Sequence, residues 1–225
     1  MNETKTRKSE ILNIIFAVLL FGGLWGIVEA TLGTLLHLIP HGMRLIFWSS
    51  TTVLLPIAYF LMGACYRKTG KIRSVLYMGV FASIIKIISA AIFASKYEPA
   101  LYMLMEAACM SGALLVIRPK QMISFAGLAT GILASTLYLG LSTFVRINVA
   151  TATSQQVLEN ITKYMFTYNC VAILYMFVGG AIIFGLMKLA EAKEWKFSKV
   201  KDVIFHPAFA SSIAVVAVAV TLILH

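Results

Sequence analysis

Apolar runs of about one helix length, separated by short polar connections, repeat along the whole chain. Seven of them span residues 11–39, 45–66, 74–94, 99–117, 123–145, 164–187 and 204–224. Most lie near the ~20 residues that a helix needs to cross a bilayer core. The pattern therefore predicts an all-α polytopic membrane helix bundle of six to seven transmembrane helices in a single domain. The first run is long and is expected to tilt or to end in a surface turn before Pro40. Pro56, inside the second run, is expected to kink it. Pro99 suits the first turn of the fourth. The last run is the weakest of the seven, so six spans with an appended helix form the other count. The first run exceeds a signal-peptide core and lacks a small-residue cleavage site after it, which predicts a retained helix.

Composition agrees with the pattern. Of 225 residues, 60% are hydrophobic and 12% charged, and mean hydropathy is +0.89. A soluble domain carries about 25% charged residues. The formal net charge of +10 does not form a nucleic-acid-binding face, because the basic residues cluster in the connections. With the N-terminus in the cytoplasm, the inner segments hold Lys5, Arg7, Lys8, Arg67, Lys68, Lys71, Arg73, Arg118, Lys120, Lys188, Lys193, Lys196, Lys199 and Lys201. The outer segments hold only Arg44, Lys96, Arg146 and Lys163. This asymmetry is the positive-inside pattern, and it predicts a multi-pass cell-membrane protein with a cytoplasmic N-terminus. Trp48 and Trp195 suit the two interfacial belts.

Three ionisable residues lie within the apolar runs: Glu29, Lys86 and Glu106. Each costs roughly 2.5–3.5 kcal/mol at a helix centre on insertion scales, so each must face the bundle interior. The first run places Gly22, Gly26, Glu29, Gly33 and His37 in one narrow stripe at helical spacing. The third does the same with Gly79, Ala82, Ser83, Lys86 and Ala90, and the fifth with Gly127, Gly131, Ser135, Tyr138 and Ser142. On the fourth, Glu106 shares a side with Tyr102, Cys109, Met110 and Ala113. Counted at 1.5 Å per residue, all three charged residues fall in the outer half of the membrane. Ser49, Ser50, Thr51 and Thr52 add polarity there, as do Tyr168 and Asn169.

These residues outline a polar pocket open to the outside, lined by Glu29, Lys86 and Glu106 with Tyr138 and Asn169 as secondary candidates. One lysine does not balance two carboxylates. Either one carboxyl holds its proton, or a cationic or polar ligand completes the balance. Two other roles stay open for the cluster, a structural ion pair that fixes helix register and a proton relay. The glycine stripe of the first run has two readings as well: packing within the chain, or docking of a partner membrane subunit through Gly22, Gly26 and Ala30.

Other chemistry finds little support. Cys65, Cys109 and Cys170 are an odd number without a CxxC pair, which disfavours a disulfide framework or structural zinc. His37 and His41 flank Pro40, which spoils a helical metal pair, so no metal and no cofactor are expected. There is no phosphate loop, nucleophile elbow, zinc-binding HExxH or dinucleotide motif. The chain is therefore not expected to be an enzyme.

The segment Gly23-Leu-Trp-Gly-Ile-Val-Glu-Ala-Thr-Leu-Gly-Thr-Leu-Leu-His37 resembles the opening helix of the S components of energy-coupling-factor transporters. The resemblance is architectural over most of the chain and reaches motif level in this helix. It implies a substrate-binding membrane subunit for uptake of a small polar micronutrient, a vitamin or precursor, through an outward-facing pocket. It also implies coupling-subunit and ATPase partners, with Gly22, Gly26 and Ala30 where the family docks on its coupling subunit. Two other classes remain beside it: an ion- or proton-coupled carrier acting as an oligomer, and a lipid-handling membrane enzyme. Expected partners are a small-molecule ligand and membrane lipid, not nucleic acid.

Overall fold

The computed structural model describes residues 2–33, 36, 50–93, 97–120 and 125–149, with short helical pieces within 170–178 and 211–217. Every regular element among them is helical. The helices are α1 (Asn2–Val28), which continues into a π-helical turn (Glu29–Gly33), α2 (Ser50–Thr69), α3 (Ile72–Phe93), α4 (Glu98–Ile117) and α5 (Phe125–Val149). They correspond to the first five apolar runs. The sixth and seventh runs fall mostly outside the described residues, as does the start of the second.

Local sequence explains where several helices stop. Gly70, at φ +65°, takes the left-handed conformation that ends α2, and its N–H donates to Tyr66 O at 2.7 Å, a glycine C-cap. Ser74 Oγ then donates to Lys71 O at 2.6 Å and lies 2.6 Å from Thr69 Oγ1, tying the short α2–α3 turn together. Pro99 occupies the first turn of α4, where its missing N–H costs nothing. At the other end Arg118 adopts a left-handed cap at φ 45° and donates its N–H to Leu114 O; Pro119 prevents continuation. α2 runs through Pro56 without ending there.

Contacts between helices fix their directions. Asn13 Nδ2 lies 3.5 Å from Lys68 O, and Lys71 Nζ is 2.7 Å from Glu10 Oε1, so the start of α1 lies beside the α2–α3 turn. A Cβ on Gly33, at the far end, would sit 3.7 Å from Leu54 Cδ1. α1 and α2 are therefore antiparallel. Gly22 faces Met78 and Phe81 while Gly26 faces Ile85, which makes α1 and α3 parallel. Ser83 Oγ donates to Ala100 O at 3.0 Å and Gly79 abuts Ala107, so α3 and α4 are antiparallel. α5 packs on α4.

The bundle has an apolar outside and a mixed inside. Leu76, Tyr77, Val80, Ile84, Ile87 and Ile88 are all exposed along one side of α3, as are Leu137, Leu141 and Phe144 on α5. The buried set includes Ser74, Ser83, Glu106, Ser111, Thr130, Ser135, Ser142 and Thr143, packed among Trp25, Met62, Met78, Met103 and Met110. Several of these hydroxyls bond back to their own helix, such as Thr130 to Ala126 O at 2.8 Å and Ser142 to Leu139 O at 3.1 Å. Such back-bonding satisfies a hydroxyl without water. Three helical stretches, Ser9–Gly33, Glu98–Ile117 and Phe125–Val145, are long and apolar enough to cross a membrane.

Candidate functional site

The stripes legible in the sequence face inward. Gly22, Gly26 and Gly33 are buried on α1 and its π turn, and Gly79, Ala82 and Ser83 on α3. Cys109, Met110 and Ala113 are buried on α4, as are Gly127, Gly131, Ser135, Tyr138 and Ser142 on α5. Glu29, Lys86, Glu106 and Tyr138 come together from four different helical elements. Asn169, the remaining pocket candidate, lies outside the described residues, together with His37.

Glu29 is the first residue of the π turn. A π turn inserts one residue into the helical ladder, and such bulges recur at functional sites. Here it re-aims the chain just where an acidic side chain enters the bundle. A Cβ on Gly33 would stand 3.6 Å from Glu29 Oε2, so the absence of a side chain at 33 leaves room beside the carboxylate. Thr31 Oγ1 donates to Ile27 O at 2.7 Å and caps one carbonyl of the distorted turn. The Trp25 indole sits one turn earlier, fully buried, near enough for its Nε1 to act on Glu29 but without a well-aligned hydrogen bond.

The three charged groups interact pairwise. Lys86, partly buried, interacts electrostatically with Glu29. Glu29 in turn faces the charge of Glu106. Glu106 is the most enclosed of the three, only 8% exposed. The Tyr138 hydroxyl donates to it, while its Oε2 has no hydrogen-bond partner among the described residues. Cys109, one turn on along α4, neighbours the same carboxylate.

Tyr59 of α2 completes the group and was not among the residues singled out from the sequence. It is 4% exposed, lies within electrostatic reach of Glu106, Cys109 and Tyr138, and its hydroxyl has no hydrogen-bond partner among the described residues. The signal for it was present. Tyr59 is the one hydroxyl-bearing residue between Val53 and Met62, and a buried tyrosine normally requires a partner for its O–H. The sequence drew attention instead to Ser49–Thr52 at the outer end of the same run, of which Ser49 lies outside the described residues and the other three open α2.

The glycine stripe of α1 is filled from within the chain. A Cβ on Gly22 would meet Phe81 Cδ1 at 2.9 Å and Met78 O at 3.3 Å; one on Gly26 would meet Ile85 at 3.5 Å and Ala217 Cβ at 3.7 Å. Ala30 is fully buried. Ala217 belongs to the seventh apolar run, so that run packs on α1 at Gly26. Among the described residues no three His, Cys, Asp or Glu side chains gather in a metal-binding group.

No family model matches this chain, and neither a curated protein nor a solved structure does so.

Proposed function

We propose that this chain is a membrane subunit that binds a small polar micronutrient, a vitamin or precursor, and hands it to partner coupling and ATPase subunits for uptake. The observation that carries this reading is the cluster itself. Glu29, Lys86, Glu106, Tyr138 and Tyr59 converge from five helical elements inside an otherwise apolar bundle, and polar atoms at its centre await a partner. Interior charges in a membrane protein mark substrate or ion sites by default, because burying them in an apolar bundle is costly. In this reading six to seven spans place the N-terminus in the cytoplasm, and the pocket opens to the outside. Partner subunits would approach a lipid-facing side, since Gly22, Gly26 and Ala30 are taken up by packing within the chain.

Mass spectrometry of small molecules released on denaturing gently purified protein is the first test. A stoichiometric polar metabolite is the expected result. Glu29→Gln and Glu106→Gln should then each weaken its binding while leaving the unfolding transition in place; unchanged affinity in both refutes the assignment.

The succession of pairwise interactions from Lys86 to Glu29, Glu106 and Tyr138 favours one second reading, an ion- or proton-coupled carrier acting as an oligomer. Such a carrier would move substrate in liposomes without ATP or partner subunits, and a capture subunit would not.

A further inference from the structure

Resting on the capture reading, we propose that the ligand is held by a protonated nitrogen, an ammonium group seated between the Glu106 carboxylate and the Tyr59 hydroxyl. Glu106 Oε2 on α4 and Tyr59 Oη on α2 are both buried, lie within electrostatic reach of one another on helices that touch, and have no hydrogen-bond partner among the described residues. A buried polar atom without a partner costs ~1–3 kcal/mol, more when charged, so such atoms mark places where something else binds.

The chemistry of the two atoms narrows the occupant. A carboxylate oxygen only accepts, and a tyrosine oxygen accepts through two lone pairs while donating one proton. A group that carries several N–H donors on one atom satisfies both at once. Charge points the same way. With both carboxyls ionised, two carboxylates and one lysine leave the cluster one positive charge short of neutrality, and Lys86 is engaged with Glu29. A single positive charge beside Glu106 restores the balance without requiring either carboxyl to hold a proton. Tyr59 and Tyr138 are the aromatic residues near Glu106, and aromatic rings attract organic cations. A divalent metal fits less well: calcium seeks six to eight oxygens, and only two carboxylates are at hand, with no third His, Cys, Asp or Glu joining them among the described residues.

The test uses the full chain in detergent. Thermal unfolding and tryptophan fluorescence are followed during titration with n-butylamine and ethanolamine. The hydroxyl counterparts n-butanol and ethylene glycol, and NaCl at matched ionic strength, serve as controls. Saturable stabilisation by the amines alone is expected. Glu106→Gln should weaken it about 10–100-fold, the worth of a charge-assisted hydrogen bond. Tyr59→Phe should weaken amine binding too, yet leave the ligand-free protein as stable as before or more so, because it deletes an unpartnered buried hydroxyl. A purely structural tyrosine would not show these opposite signs. An equal response to NaCl or to the alcohols overturns the ammonium seat, and so does indifference of amine binding to both substitutions. The released metabolite separates this failure from that of the capture reading. A stoichiometric ligand without a protonatable nitrogen overturns the ammonium seat and leaves capture standing; an empty protein that ignores amines overturns both.

Discussion

At Gly79 α3 and α4 approach closely, and adding one methyl group there tests the packing that holds the site. A Cβ built on Gly79 would collide with the Ala107 Cβ, with Met103 O at 3.6 Å and Ala107 Cα at 3.7 Å behind it. The obstacle is therefore helix backbone and a methyl attached directly to it, neither of which can rotate away. To regain the ~3.5–4.0 Å of ordinary carbon contact, the two helices must separate. Overpacking costs about 1–3 kcal/mol, and a backbone-limited contact belongs at the upper end. Against that, Gly→Ala inside a helix gains up to about 1 kcal/mol. Gly79→Ala should thus destabilise by about 2 kcal/mol net. For a chain of this size that lowers the unfolding midpoint by about 4–8 °C.

Two further variants calibrate the measurement, which is unfolding in a mild detergent followed by circular dichroism. Gly112 is on α4, and a Cβ there meets nothing within 4 Å, so Gly112→Ala should be neutral or stabilising by up to about 1 kcal/mol. The double variant Gly79→Ala with Ala107→Gly moves the methyl from one helix to the other. It should recover most of the loss, giving a coupling energy of about 2 kcal/mol, within the range seen for contacting residues. Equal stability of Gly79→Ala and Gly112→Ala would refute the reasoning, because the two differ only in what the methyl meets. Lys86 lies two turns along α3 from Gly79, so the same substitution should also weaken ligand binding at the cluster.

Three other outcomes follow from the structure. Ile84 is exposed on the apolar side of α3; Ile84→Asp should impair membrane insertion by roughly 2.5–3.5 kcal/mol on insertion scales, read as lost membrane-integrated protein, whereas unchanged insertion would show that this face does not meet lipid. Gly70→Ala should cost about 1–2 kcal/mol of stability, the penalty of a Cβ in the left-handed region, although nothing crowds that position; Gly70→Asn should cost less, and equal losses in the two would point to a cause other than backbone conformation. The Lys71–Glu10 ion pair is 46% and 40% exposed, so Lys71→Ala should change stability by no more than about 1 kcal/mol, with the effect fading as salt is raised.

Much of the bundle could be read along the chain because one physical demand dominates. A backbone that crosses a bilayer must satisfy its own hydrogen bonds, which forces helices of nearly fixed length, and the first five apolar runs give the approximate bounds of α1 to α5. Period then gives the inward face. Gly127, Gly131, Ser135, Tyr138 and Ser142 are all buried, as their spacing requires, and so are Gly79, Ala82 and Ser83. The same periodicity showed that Glu29, Lys86 and Glu106 point inward, since lipid cannot hold them.

Distances between helices left no trace in a one-dimensional pattern. Counting residues from the helix ends made the three charged groups equivalent members of one cluster. The fold instead sets them at different heights: Glu106 lies level with Gly79, and Lys86 two turns beyond. The π turn at Glu29 is a tertiary choice too: Gly33 and Thr31 permit it, but helix propensity alone does not call for it. Tyr59 joined the site only once α2 was laid against α4 and α5, and the glycine stripe of α1 acquired its occupants only when Phe81, Ile85 and Ala217 packed onto it. Hydrophobic period fixes which side of a helix faces inward. Which neighbour that side meets, and at what height, is set by the fit of small residues such as Gly79 and Ala107 across a contact.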